Sequence, residues 1–330
     1  MFVPTVYALA LFMMILSMIA WGSWVNVHKL CRNWRFELLY WDYVWGILLC
    51  SLIAGVTFGR TDPSSPDSFF LNLTAASTLH HVWAILAGTV FNLGNILVVA
   101  AISVAGMAVA FPVGVGLALV IGSILNYVLK PTGNPWLLFG GLTLICLAII
   151  LDAVAYRKRS SGVAVPTIGL VLSVGGGVFL GLFYPFIVKA TTGEGHLGPY
   201  TVAFMFAVGV TLSNFPFNYL YMRFAPSGPP IEIKEYFVGS RSSHFWGLFG
   251  GLAWMAGTIC NYVASYGQMV GPATSYTIGQ GSTMVGTIWG VFVWKEFRGA
   301  GRSVQLLLAL MFTFFIAGLT CVALAPIVHW

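Results

Sequence analysis

Residues 136–155 read WLLFGGLTLICLAIILDAVA, and residues 156–159 read YRKR. A helix needs about 20 consecutive apolar residues to cross the hydrocarbon core of a bilayer. The run 136–155 supplies them with one acid, Asp152, and the cations that follow mark an end that stays in water. A second long run, 303–326, has the same character. A β-barrel would show short alternating segments, so the spanning elements are expected to be helices.

The rest of the chain agrees. Its 330 residues are 58% hydrophobic and 7% charged, with a mean hydropathy of +0.89. Soluble domains carry roughly 25% charged residues, so a water-soluble fold is excluded. The expected class is all-α integral membrane, with ten transmembrane helices at 5–27, 39–58, 79–101, 106–129, 135–155, 166–189, 199–222, 244–265, 270–293 and 303–326. The first lacks a charged n-region and a small-residue cleavage site, and it is read as a mature helix, not a signal peptide. The longest polar stretches, 59–78 and 223–243, are loop-sized. Cys31, Cys50, Cys146, Cys260 and Cys321 lie mostly inside apolar runs, which supports neither a disulfide framework nor a metal site.

Basic residues test the orientation, because Lys and Arg favour cytoplasmic loops. With both termini outside, the inner loops hold Lys29, Arg32, Arg35, Arg157, Lys158, Arg159, Arg223, Lys234, Arg241, Lys295, Arg298 and Arg302. Only Arg60, Lys130 and Lys189 remain outside, so twelve of the fifteen Lys and Arg lie inside. A multi-pass protein of the cell membrane with extracytoplasmic termini is expected. The outer loop also carries an Asn72-Leu73-Thr74 sequon, a glycan acceptor in a host that glycosylates.

The sequence also repeats. His81-Val82-Trp83 opens the third span and His244-Phe245-Trp246 the eighth, 163 residues later. In that register Gly88 meets Gly251, Phe91 meets Trp254, Gly94 meets Gly257 and Asn95 meets Thr258. Shifted by two, Gly114-Val115-Gly116 meets Gly279-Gln280-Gly281 and Lys130 meets Lys295. Five spans per copy is an odd number, so the copies enter from opposite faces. This is a 5+5 inverted repeat: residues 1–155, a short cytoplasmic linker at 156–165, and residues 166–330. Such symmetry places a solute site near the midplane, between the halves.

The order and spacing of several short motifs resemble the drug/metabolite transporter superfamily. Within it the chain looks most like the ureide permeases, close to the glucose/ribose and rhamnose porters. The motifs are Trp21-Gly22-Ser23-Trp24, Tyr40-Trp41-Asp42-Tyr43, Thr57-Phe58-Gly59, Leu93-Gly94-Asn95, Leu125-Asn126-Tyr127, Gln280, Ile288-Trp289-Gly290-Val291 and Glu296-Phe297. The resemblance implies a secondary carrier for ureides or nucleobases such as allantoin and uracil, with protons as the candidate driving ion. The neighbouring porters keep a sugar carrier open as the alternative. The long charged central loop of plant members is absent here.

Polar groups in spans pair with neighbours or face a cavity. Phe91 and Asn95 share a helix face, and Trp254 and Thr258 repeat that spacing. One aromatic and one hydrogen-bonding group from each half would clamp a flat polar molecule. A primary amide offers donor and acceptor together, so Asn95 and Gln280 are the candidates to read an edge of alternating N–H and C=O. Trp21, Trp24, Phe91 and Trp254 are the candidate stacking faces. An amide in a span also serves simply to bond a neighbouring helix, and Asn92, Asn214, Asn218 and Asn261 are read that way. Pro112, Pro185, Pro216 and Pro272 are kink candidates. Asp42 is the coupling candidate, with an interfacial role bonded to the first loop as its alternative. No nucleophile, carboxylate pair or His/Asp cluster gathers at one depth, so an enzyme is not expected. A small-molecule solute, the lipid bilayer and protons are the expected partners, with no nucleic acid and no cofactor.

Overall fold

The computed structural model describes residues 1–31, 34–159, 166–224, 228–267 and 269–328. Residues 160–165 of the expected linker, Arg32 and Trp330 lie outside the described residues. Among the described residues every regular element is a helix. In chain order they are α1 (Tyr7–Ser23), α2 (Val27–Leu30), α3 (Phe36–Val56), α4 (Phe69–Ala75), α5 (Thr78–Ala105), α6 (Met107–Leu129) and α7 (Pro135–Arg159). There follow α8 (Thr167–Ala190), α9 (Pro199–Arg223), α10 (Lys234–Phe237), α11 (Arg241–Tyr266), α12 (Pro272–Gln280), α13 (Ser282–Ile288) and α14 (Arg302–Leu324).

Eight helical segments among the described residues are long and apolar enough to cross a membrane. Their outer faces carry Phe12, Leu49, Val128 and Leu306 in the open, a surface that only lipid would cover. Trp45 and Trp136 stand out at 44% and 77% exposure, as interfacial anchors do.

Two expected spans are not among the eight. The stretch 270–293, expected as one helix, is interrupted: α12 stops at Gln280, α13 starts at Ser282, and Trp289–Val293 forms a π turn. All nine residues of α12 are buried. A helix walled by protein needs no apolar coat, so Thr274, Ser275 and Thr277 are tolerated there. The 26-residue α11 likewise packs on α1, α3, α9 and α12 and carries Thr258 and Asn261 fully buried. Pro272, expected to kink a helix, is instead the first residue of α12, where its missing N–H costs nothing.

Close crossings hold the bundle together. A Cβ on Gly88 of α5 would strike the Phe206 carbonyl of α9, and one on Gly209 would strike the Ile85 carbonyl. The crossing of α3 with α11 is built the same way, with Gly46 against the Leu248 carbonyl and Gly251 against that of Tyr43. Gly141 and Gly318 bring α7 onto α14. Small residues let backbones approach where no hydrophobic force drives association.

The loops gather at two ends. At one end Lys29 pairs with Glu296, Arg159 donates to the Glu296 and Arg298 carbonyls, and Arg35 donates to the Pro229 carbonyl. At the other, Asp67 accepts from Tyr266 at 2.9 Å, and His80 Nε2 lies 3.0 Å from the Thr192 carbonyl. The Phe2 and Ala325 carbonyls accept there from Tyr200 and from the Asn134 amide. Asn72 is 5% exposed, donates to the His196 carbonyl and accepts from the Gly198 amide, so its nitrogen is not presented to a glycosylating enzyme.

Candidate solute site

A cavity of about 830 Å³ runs into the bundle from the basic end. Trp21, Trp24, Phe91, Asn95, Trp254 and Gln280 all line it, so residues from α1, α5, α11 and α12 meet around one space. Small-molecule sites commonly measure about 300–1,000 Å³.

The aromatic wall is built outward from Trp254. Its ring lies 5.8 Å from Trp21 at an interplanar angle of 13° and 4.4 Å from Phe91 at 30°. Trp24, placed by the 3-10 turn that ends α1, rests 4.4 Å from Tyr43. Thr258 does not line the cavity. Its hydroxyl accepts from the Trp21 indole at 2.9 Å and donates to the Trp254 carbonyl at 3.0 Å, so it fixes the stacked pair from behind.

Asn95 is held by a relay. Its Nδ2 donates to the Tyr40 hydroxyl at 3.0 Å, Tyr40 donates to Asn92 Oδ1 at 2.8 Å, and Asn92 Nδ2 donates to Ser213 Oγ at 3.0 Å. Among the described residues, the second amide hydrogen and the carbonyl oxygen of Asn95 have no partner. Gln280, the last residue of α12, lines the same cavity. Asn218 and Asn261 bond within the protein, to the Glu37 carbonyl and to Tyr184 and Ser275.

Asp42 stands outside the cavity. Its two oxygens take the Tyr236 hydroxyl at 2.6 Å and His244 Nδ1 at 2.8 Å, which ties α10 to α3 and α11. Burial, and then the neighbouring Asp42 carboxylate, push the Tyr236 phenol well above its usual range.

Sequence reasoning missed the polar wall. Asp152, Tyr156, Thr283, Thr287 and Glu296 also line the cavity. The Thr287 hydroxyl lies 3.0 Å from Asp152 Oδ2, and Tyr156 donates to Glu296 Oε2 at 3.0 Å. Gly290, in the π turn, makes room for that meeting: a Cβ there would come within 2.7 Å of the Tyr156 hydroxyl and 2.8 Å of Glu296 Oε2. At the mouth Lys29 and Glu296 pair at 2.7 Å, and Arg35 and Glu37 at 2.6 Å. One signal was available, the four-residue spacing of Asp152 and Tyr156, which puts both on one face of α7.

The sequence profile of the ureide permease family matches residues 39–164. Ureide permease 2 of Arabidopsis thaliana is 24% identical, covering 92% of this chain and 94% of its own length. Ureide permease 1 of the same plant is 23% identical, over 92% and 93%. The chain is thus similar to the ureide permeases over nearly its whole length. Alignments to these relatives extend to 378 and 370 positions, more than the 330 residues here, so the ureide permeases carry segments this chain lacks. A solved crystal structure superposes with a TM-score of 0.62 at 13% identity, covering 93% of this chain and 95% of that one, a likeness of fold. With its apolar helices, the relationship to these permeases marks a multi-pass membrane protein.

Proposed function

We propose that this chain is a secondary transporter that carries a ureide or a related oxo-heterocycle by alternating access. The observation that carries the reading is the cavity itself. Stacked aromatic faces from both parts of the chain, Trp21 and Phe91 with Trp254, stand beside the amides of Asn95 and Gln280. A flat molecule with alternating N–H and C=O groups would stack on the first and pair with the second. Relatives named for ureides support this class over a sugar.

The architecture that goes with it is ten crossings in two inverted five-helix halves, 1–155 and 166–330, with α11 and the interrupted α12–α13 as the eighth and ninth. The glycine crossings support this: Gly46 and Gly209, like Gly88 and Gly251, differ by the same 163 positions as the sequence repeat. The contact of α5 with α8 has its mate in α11 with α1, and α5 with α9 in α11 with α3. With the basic end cytoplasmic, the cavity faces inward, and the contacts of Asp67, His196 and Tyr266 close the outer side.

A thermal-shift screen of the purified protein tests the reading, because a ligand that binds only the folded state stabilises it with rising concentration. Allantoin or uracil is expected to raise the melting temperature of the wild type, and Asn95→Ala and Gln280→Ala to abolish the rise. Stabilisation by hexoses alone would overturn the substrate class.

A further inference from the structure

Asp152 is an acid in the apolar run that opened the sequence reading, and no role assigned so far uses it. It is 8% exposed, lies on the cavity wall, and its Oδ1 has no hydrogen-bond partner among the described residues. An ionised carboxylate in such a place needs a cation or several donors. The cations nearby are engaged elsewhere. Lys29 reaches Glu296 at 2.7 Å, Arg159 donates to the Glu296 and Arg298 carbonyls, and Arg35 pairs with Glu37. His28, also on the wall, sits 3.1 Å from the Trp34 carbonyl. Of the helices packed on α7, α6 bears no Asp, Glu, His, Lys or Arg and α14 bears only Arg302 at its start, while Glu296, on the same cavity wall, is the charged group that faces Asp152.

The hydrogens around Thr287 decide what Asp152 holds. The Thr287 hydroxyl lies 3.0 Å from Asp152 Oδ2 and 3.1 Å from the Thr283 carbonyl, yet it owns one hydrogen. A backbone carbonyl only accepts. If Asp152 is ionised, both neighbours compete for that hydrogen and one contact is empty. If Asp152 is protonated, its Oδ2–H donates to Thr287, Thr287 donates to Thr283, and both contacts are made. Oδ1 is then a neutral carbonyl oxygen, far cheaper to leave unpaired than a carboxylate.

We infer that Asp152 is the proton-binding group of the transport cycle, holding its proton in this cavity-open conformation against Thr287 and releasing it to the water of the cavity. This deepens the carrier reading and rests on it. The released proton leaves through the mouth between Lys29 and Glu296, and the carboxylate that remains must find donors before the cavity closes. Thr287 is placed to supply one, by turning its hydrogen from the Thr283 carbonyl to Asp152.

Two measurements on the full-length protein test this. Infrared difference spectra of wild type minus Asp152→Asn need no solute. A protonated-carboxyl C=O band is expected at neutral pH, disappearing on alkaline titration, and moved to higher frequency in Thr287→Val but not in Thr287→Ser. Absence of that band overturns the inference. In proteoliposomes, labelled allantoin or uracil is expected to accumulate when a pH gradient is imposed. Asp152→Asn is expected to lose that accumulation and keep solute counterflow. Wild-type accumulation in Asp152→Asn overturns the inference, and so does accumulation driven by sodium. If the wild type moves neither compound, the substrate reading falls while the infrared band still decides the proton.

Discussion

Thr258→Val separates the stacked wall from the cavity it lines. Valine has nearly the shape of threonine, so packing is kept while the acceptor for the Trp21 indole, 2.9 Å away, is lost. Thr258 is fully buried, and a buried donor left without a partner costs about 1–3 kcal/mol. Trp21 borders the cavity, so its freed N–H has a route to water that brings the stability loss toward the lower figure. Taking that route turns the ring from its 13° alignment with Trp254. A solute that stacks there then meets the same penalty, which at about 1.4 kcal/mol per decade is roughly 5- to 150-fold in Kd. Isothermal titration of allantoin into Thr258→Val and Thr258→Ser, with thermal unfolding alongside, measures both parts. Serine is expected to restore most of the affinity. Undiminished affinity in the valine variant, or equal losses in both, would refute the reasoning.

Other expectations follow from contacts already described. The Lys29–Glu296 pair is 38% and 32% exposed, so breaking it should cost about 0–1 kcal/mol of stability; Lys29→Glu and Glu296→Lys should each slow uptake, and the double exchange should recover it. Gly88→Val and Gly251→Val each drive a side chain into a carbonyl of a crossing helix. Both should lower the melting temperature by an amount that reflects about 1–3 kcal/mol or more of overpacking, and by similar amounts in the two. Asn72→Gln should leave the gel mobility of protein made in a glycosylating host unchanged, while lowering thermal stability by about 1–3 kcal/mol through the lost bonds to His196 and Gly198.

The membrane class was legible at 136–155 because a lipid-facing helix must advertise itself in composition. Segments with more of their surface buried give a weaker signal: 244–265 and 270–293 were legible as apolar runs, and the register with an earlier stretch then paired them with the first half. The aromatic and amide residues were legible for a related reason. Phe91 with Asn95, and Trp254 with Thr258, are polar-aromatic pairs on faces that would otherwise be plain. Register alone did not tell that Thr258 would stand behind the wall while Asn95 stood in it. Asp152 and Glu296 were hidden by position: counted along the chain, each falls near the end of a span. Their proximity depends on the π turn at Trp289–Val293, a local winding with no marker in sequence beyond Gly290. The partners of Asp42 were not legible, because a carboxylate among aromatic residues looks the same in sequence whether it faces a cavity or, as here, Tyr236 and His244.

The paired glycine crossings have a kinetic consequence. Interdigitated leucines resist sliding, since each knob must climb out of its hole before the next position is reached. Carbonyls resting on glycine present smooth bearings, along which one helix is free to roll on another without repacking a core. Gly88 with Gly209, and Gly46 with Gly251, are two such bearings made from interchangeable parts. In the carrier proposed above, matched bearings would give neither end of the stroke a mechanical advantage. Which way the molecule rests is then left to small asymmetric influences: the ion pair at one rim, the contacts at the other, and whatever occupies the space between.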